Sequence, residues 1–551
     1  MKYDYDYIVV GSGFGGSVSA MRLAQKGYSV CIIEAGKRYL AEDFPDTNWN
    51  VRKSIWLPRF ALYGTWRLKL FKSVLVLAGA GVGGGSLNYA NTHYVPGDQF
   101  FKNDIIKKMG GKKALFPFYN LAKKMFGVVK NPVNTEADKK IRKTASAMGF
   151  GKTFDFTPVA VYFGSEGETK EDPYFMGEGF DRSGCTLCGG CMVGCKHNAK
   201  NTLDKNYLYF AEKFGAKVVP DNKVIDVKPL SGDGTRGYEI TSARMTGLRS
   251  PRTTFTSMGI VFSGGVLGTL ELLLKLKAKK RLPEISHQLG KMVRTNSESL
   301  IGVTASKKDI DYSHGVSITS SVFPDDVTHI EPVRFSQGSD LLGLITAVLT
   351  DGGGKIPRQL RYLMNCLKHP FQVIRNILPF GFARKSVILL VMQTVDNFLH
   401  LKLKRHIYWP FKKTLSSEQD KKKNIPSYIP VANEFARKLA GIMKGQARST
   451  INEVMLNAPV TAHILGGCSI AETSDGGVID YEHRVFGYKN MYICDGSTVP
   501  ANLGVNPALS ITAITERAMS FIPVKKSKKL RCLQVEKKWK VEKLLTSKKK
   551  K

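Results

Sequence analysis

Acidic side chains are scarce in this sequence: 46 Asp and Glu stand against 82 Lys and Arg, a formal net charge of +36 over 551 residues. Such an excess calls for an anionic partner, either nucleic acid or a lipid surface. No nucleic-acid recognition module accompanies it, so nucleic acid drops out of the expected partners. Long apolar runs are missing as well. The longest uncharged runs, 73–97 and 253–270, are studded with Gly, Ser and Thr, and no stretch qualifies as a membrane span. The opening Met-Lys-Tyr-Asp-Tyr-Asp carries no secretory leader pattern. Cysteines number nine, an odd count with four of them within residues 185–195, which excludes a regular disulfide framework and makes a reducing cytoplasm the expected location. What is present is a globular composition, 43% hydrophobic, too long for one ordinary core, so two or more lobes are expected.

The chain is organised around Tyr5-Asp6-Tyr7-Ile8-Val9-Val10-Gly11-Ser12-Gly13-Phe14-Gly15-Gly16. An apolar, β-rich run enters a glycine turn and then a helical pattern that stops at Gly27; Tyr28 to Glu34 reads as a second buried strand. This is a βαβ dinucleotide fingerprint. Gly11 permits the tight turn, Gly13 lets backbone approach a pyrophosphate, Phe14 opens the helix, and Gly16 lets helix and strand pack closely. Glu34 at the strand end is placed to accept from a ribose 2′-hydroxyl and would repel a 2′-phosphate, so FAD or NAD is favoured over NADP. A second glycine stretch, residues 79–91, places five glycines in seven residues before Ser86-Leu87-Asn88-Tyr89-Ala90-Asn91. Neither a packed helix nor a central strand tolerates that density, but backbone lying against a flat ligand does.

The fingerprint, Glu34 and the GxGGGS loop together resemble the glucose–methanol–choline (GMC) oxidoreductases, and later segments resemble their cholesterol oxidase-like branch with non-covalent FAD. The resemblance covers about residues 1–523 and is densest at both ends. It implies an α/β protein with a discontinuous Rossmann-like FAD-binding domain plus a substrate-binding lobe built on a β-sheet with helices. The implied division assigns 1–100, 185–300 and 456–523 to FAD binding, 101–184 to a peripheral or substrate-side insertion, 301–455 to the substrate lobe, and 524–551 to a basic tail that is disordered or surface-bound. It also implies Gly83, Gly84, Ser86, Asn88 and Asn91 as cofactor contacts in the second glycine loop, and backbone at Val224 beside the adenine. One departure stands out: the branch usually carries Asn three residues after the loop Ser, where this chain has Tyr89.

Thr461 to Cys468, followed by Asn490 to Gly496 and by Asn502 to Pro507, resembles the family's C-terminal motif. Pro507 suits a first helical turn, and that helix would aim its positive end at the flavin. His463 and Asn506 fall where the family meets the substrate hydroxyl, and Asp495 where it meets the flavin ribityl chain. In the substrate lobe, Thr328 to Phe335 places Glu331 among apolar, strand-like residues. It is either a surface or Arg334-paired carboxylate, or a base whose pKa burial raises. Cys185, Cys188, Cys191 and Cys195 have the C-x2-C-x2-C-x3-C spacing of bacterial ferredoxins without the following Pro. An iron–sulfur cluster, a zinc site, and a reduced thiol turn or local disulfide stay open.

Three segments hold most of the charge: 51–72 at +6, and 355–413 and 525–551 at +11 each. The first mixes Trp56, Phe60, Tyr63 and Trp66 with bases, as a lid, a membrane-interface segment or a solvated helix would. The second, with Leu360, Leu363, Leu367, Phe371, Ile374, Ile377, Leu378 and Phe380, reads as a surface helix hairpin facing anionic lipid, and 414–427 as an exposed loop. The activity the family resemblance implies is FAD-dependent oxidation of a 3β-hydroxysterol or similar bulky alcohol with O2 as acceptor, Glu331 moving a proton to isomerise the product. The alternatives are a dehydrogenase relaying electrons through a cysteine-bound cluster, and a membrane-associated flavin-binding protein with little turnover.

Overall fold

The computed structural model describes residues 2–247, 250–307, 309–377, 379–406 and 409–546. Leu378 and residues 547–551 lie outside the described residues, as do the side chains of Ile374 and Ile377. The strand Tyr5–Val10 pairs in parallel with Val30–Ile33 on one side and with Arg252–Phe262 on the other. Lys217–Val219 extends the sheet in parallel beyond Val30–Ile33, and Met491–Ile493 pairs in parallel with Arg252–Phe262. Every residue of Val30–Ile33 is buried, as expected for a parallel sheet covered on both faces. The antiparallel strands Tyr238–Arg244 and Asn222–Pro229 complete the sheet, with a bulge after Val224.

Phe14–Gln25 crosses from the first strand to the second and buries eleven of its twelve residues, which its small Gly, Ser and Ala positions permit. It packs against Ala508–Ser520 and Tyr207–Lys213. Beneath it Arg22, 2% exposed, donates to both oxygens of Glu516 and to Glu536. Because Glu536 belongs to the basic tail, the described part of that tail is neither disordered nor loosely attached. Leu533, Val535 and Leu545 are buried, and Arg531 donates to the carbonyls of Ala24 and Phe214.

The second lobe is a five-stranded antiparallel sheet in the order Thr328–Val333, Ser386–Gln393, Ser299–Ala305, Gly445–Thr450, Thr346–Val348. Thr328–Val333 is an edge strand, which is where Pro332 is tolerated. Two helices, Glu136–Ala147 and Pro430–Met443, cover the sheet.

Three charged or polar stretches differ from their sequence expectation. Within 51–72 the helical pieces are short, the α-helical turn Val51–Ser54 and the 3-10 turn Pro58–Phe60, and Trp66–Leu70 pairs antiparallel with Leu75–Gly79 instead. The helical reading of 355–413 holds for Arg358–Lys368 and Pro370–Ile377, after which Ser386–Gln393 and Leu399–His406 are strands. Residues 414–419 belong to the strand Trp409–Gln419 rather than to a loop, with Leu415 and Ser417 buried.

Candidate active site

Three helices point their N-termini into one cavity of about 500 Å³ between the two sheets. Phe14–Gln25 presents Gly13 and Gly15, Gly265–Ala278 presents Gly264 and Gly268, and Ala508–Ser520 presents Asn506 and Pro507. Unpaired N–H groups and the positive dipole ends of three helices converge there, an arrangement suited to a ligand with several negative centres. Two crossings assemble the site. Val460–Thr461 pairs in parallel with Leu75–Gly79, which leads into the second glycine loop. Leu465–Gly466 pairs with Val293–Arg294, bringing residues 294–298 against the segment that carries His463.

The glycines divide by what surrounds them. A Cβ on Gly11, whose φ is +98°, would lie 2.5 Å from the Ser263 carbonyl, and one on Gly16 would lie 2.0 Å from that of Gly11. Gly84, at φ +52°, would press a Cβ to 2.6 Å from Gly13 Cα. A Cβ on Gly13 would meet nothing within 4 Å. Its backbone therefore faces open cavity, as a phosphate-binding glycine should. The Glu34 carboxylate is buried and accepts from Ser12 N (2.9 Å), Ser12 Oγ (2.7 Å) and Gly36 N (2.9 Å), while burial pushes its pKa up.

In the second loop, Ser86 donates to Gly83 O (2.7 Å) and accepts from Leu203 N (3.0 Å), so it ties the loop together and is not on the cavity wall. Asn88 lines the cavity and donates to Thr65 O at 2.9 Å. Asn91 is fully buried at φ +53° with neither amide atom partnered. Tyr89 turns its hydroxyl away to Asn201 O (2.9 Å) and His93 Nε2 (3.2 Å). Val224 lines the cavity beside the bulge, and Asp495 lines it while accepting from Thr269 Oγ1 at 2.6 Å and from Ser497 N at 2.8 Å.

His463 and Asn506 share the cavity wall. Asn506 Nδ2 donates to Glu331 Oε2 at 3.1 Å, and its Oδ1 is unpartnered. Glu331 is fully buried beside Asn506 and does not itself line the cavity. Burial pushes its pKa up to about 8, against the opposing Asn506 hydrogen bond and helped by the charge of Glu298. Its expected alternative partner Arg334 faces elsewhere, donating to His314 O, Thr135 Oγ1 and Thr319 Oγ1. An offset of three residues along a strand puts two side chains on opposite faces. His329, two residues before Glu331, places Nε2 3.9 Å from Glu331 Oε1; burial lowers its pKa to about 3.

Residues 417–515 match the family described as GMC oxidoreductase, and residues 9–43 match an NAD(P)-binding Rossmann-like domain. The chain is 49% identical over 532 residues to a cholesterol oxidase of Acinetobacter baumannii, covering 95% of each. It is 45% identical over 542 residues to a cholesterol oxidase of Mycobacterium tuberculosis, covering 95% of this chain and 92% of the relative. The chain belongs to the GMC oxidoreductase family, on its cholesterol oxidase-like branch. The solved pyridoxine 4-oxidase from Mesorbium loti shares the fold, with a TM-score of 0.60 at 12% identity over 93% of this chain and 97% of that one.

This GMC member is an FAD-dependent oxidoreductase acting on CH–OH donors. The residues present fit FAD: open space at Gly13, three helix N-termini and a buried carboxylate at Glu34 line one continuous cavity. The cysteine turn is different. Its cysteines are free, Cys191 is buried and Cys188 exposed, and burial pushes the Cys185 and Cys191 thiols up. Among the described residues no group of three His, Cys, Asp or Glu converges to hold a metal ion. The turn instead packs into an apolar cluster with Val159, Val161, Ala199 and Val316, and Met192 carries it to the cavity wall.

Two residues of the site were not singled out from sequence. Asn296 accepts from Leu503 N and Gly504 N, each at 2.9 Å, and donates to Val505 O, holding the turn that presents Asn506. Glu298 sits against His463. The signal available for the first was an Asn, one of the non-glycine residues that most readily adopt a φ such as its +57°.

Proposed function

We propose that this enzyme oxidises the 3β-hydroxyl of a sterol to the ketone, with O2 as final acceptor and hydrogen peroxide as the second product. The observation that carries the reading is the meeting of His463 and Asn506 with three helix N-termini on one largely apolar cavity wall. The curated relatives named cholesterol oxidase add the substrate class. FAD held along Gly13, Glu34 and Asp495 would supply a two-electron acceptor for the carbinol hydride and a route for those electrons to O2. His463 takes the hydroxyl proton as the C–H bond breaks, so that alcohol is converted to ketone, hydride and proton in balance. Asn506 holds the alcohol oxygen at the mouth of the Ala508–Ser520 helix, whose dipole favours negative charge there. Apolar walls exclude water from the reacting carbon. For a Δ5 sterol, Glu331 in its ionised form removes a C4 proton from the ketone and returns it at C6, giving the conjugated enone. Asn506 stands between Glu331 and the cavity, so this second step requires the Asn506 side chain to swing aside.

The reading is tested by His463→Ala. The variant should hold FAD as the wild type does but reduce it with sterol, in the absence of oxygen, about 10²–10⁴-fold more slowly. Bleaching at the wild-type rate would remove His463 from the chemistry.

A second observation concerns the partner. Leu57, Phe60, Leu68 and Leu70 on one side, and Leu360, Leu363, Leu367, Phe371 and Phe380 on the other, are large apolar side chains left exposed among bases. Leu68 and Ile345 are both partly exposed and part of the cavity wall, so these patches adjoin the place where the cavity meets solvent. We assign this surface to peripheral contact with an anionic membrane, from which an apolar alcohol would enter. No helix among the described residues is long and apolar enough to cross a membrane.

A further inference from the structure

Glu298 immediately precedes the strand Ser299–Ala305 and is 2% exposed, yet it reaches the cavity wall. A carboxylate in such a place is costly unless its oxygens are engaged. Oε2 accepts from the backbone N–H of Ala462 at 2.7 Å, and Oε1 lies against His463 Nδ1. The backbone of His463 is fixed as well: its N–H donates to Thr461 Oγ1 at 3.0 Å, and that hydroxyl donates to Thr295 O at 2.9 Å. Carboxylate and imidazole are therefore set by neighbouring segments that the Val293–Arg294 to Leu465–Gly466 pairing clamps together.

We propose that Glu298 is the positioning residue of His463: it holds the ring with the proton on Nδ1, turns the lone pair of Nε2 to the alcohol hydroxyl, and balances the charge that appears when the hydroxyl proton arrives. The proposal deepens the proposed function and rests on His463 being the proton acceptor. A carboxylate can only accept, so the nitrogen it faces is the protonated one and the other ring nitrogen is the base. This is the logic by which a buried carboxylate fixes a histidine in hydrolytic triads, where replacement by the isosteric amide selects the wrong tautomer. The other titratable groups around the pair are Glu331, which senses the charge of Glu298, His329 at 3.9 Å from Glu331, and Tyr94, which senses Glu331.

The first measurement uses the wild-type holoenzyme. With 15N-labelled histidine, the ring resonances that disappear in His463→Asn should report Nδ1–H and a bare Nε2; an Nε2–H ring would overturn the proposal whatever any variant does. The second uses Glu298→Gln, with bound FAD read from its absorbance. Anaerobic reduction by sterol should slow by about 10²-fold or more with substrate affinity little changed. Glu298→Asp, which keeps the charge but shortens the reach, should recover part of the rate. Reduction within twofold of wild type in Glu298→Gln would also overturn the proposal. If His463→Asn is itself unimpaired, the reading of His463 fails; if His463→Asn is slow while Glu298→Gln is fast, only the assignment of Glu298 fails.

Discussion

Burial of one carboxylate decides how the two proposed reactions separate. Glu331 is 0% exposed, and its pKa, raised chiefly by burial to about 8, keeps it protonated at neutral pH. A proton-bearing Glu331 cannot abstract from C4, so isomerisation should weaken about tenfold for each pH unit below about 8, while the oxidation step needs no base at Glu331. The ratio of conjugated enone to peroxide should therefore fall as the pH is lowered from about 9 to about 6. In Glu331→Gln the unconjugated Δ5 ketone should be released at every pH, with peroxide still formed. An enone yield undiminished in that variant would place the base elsewhere. The same shift has a stability consequence. Because the folded pKa lies above the ordinary 4.5, the contribution of protonated Glu331 is complete below about 4.5 and is lost as pH rises through about 8. The pH-induced loss of thermal stability over that window should be smaller in Glu331→Gln.

At the scale of elements, the glycine turn gives a paired prediction. Gly13 has φ −70°, a conformation open to any residue, and a Cβ there would enter empty cavity. Gly13→Ala should fold with wild-type thermal stability and bind FAD at least about tenfold more weakly, since the added methyl occupies the approach to the pyrophosphate. Gly15→Ala should fail differently, because its Cβ would stand 1.7 Å from the Cys494 carbonyl on a neighbouring strand end. Loss of folded protein in Gly15→Ala, and of flavin alone in Gly13→Ala, would separate packing glycine from ligand glycine. The fingerprint, the second glycine loop and the C-terminal motif were legible in the sequence because their demands are local: turn, strand and helix start are each written within a few residues. Glu298 was not, since its meaning depends on a strand pairing with residues 465–466, far along the chain. The hairpin at Trp66-Arg67-Leu68-Lys69-Leu70 did show a period of two, but its basic, aromatic composition favoured an amphipathic helix. Residues 386–393, apolar on both faces, had no periodicity to tell strand from helix.

The whole molecule carries its charge in two structurally different ways. The tail looks like the basic stretch 355–413 in composition, yet its described part folds back on the nucleotide-binding side, where Glu536 is buried against Arg22 and Gln25. Arg358–Lys368 and Pro370–Ile377 instead rest on Leu341–Ile345 and Thr346–Val348, beside the cavity, and leave Leu367 at 82%, Phe371 at 80% and Phe380 at 77% exposed. Removing residues 524–551 should therefore act mainly on stability. It leaves Arg22 with Glu516 as its remaining carboxylate beside the Gln25 amide, and breaking a buried ion pair by deleting one partner costs about 3–5 kcal/mol. Replacing Leu367, Phe371 and Phe380 together by Ser should act on the membrane instead. Wild-type protein should sediment with vesicles containing anionic lipid and be released by salt, as expected when each Lys or Arg near the surface contributes about 1 kcal/mol. The triple variant should lose most of that binding, keep its melting temperature, and oxidise detergent-dispersed sterol at the wild-type rate. The truncation should show the reverse pattern, a lowered melting temperature with vesicle binding reduced by less than in the triple variant. Equal binding of wild type to neutral vesicles at high salt would sink the electrostatic part. Unchanged binding of the triple variant would show that the helical stretch around Leu367, Phe371 and Phe380 is not the docking surface, whatever its composition.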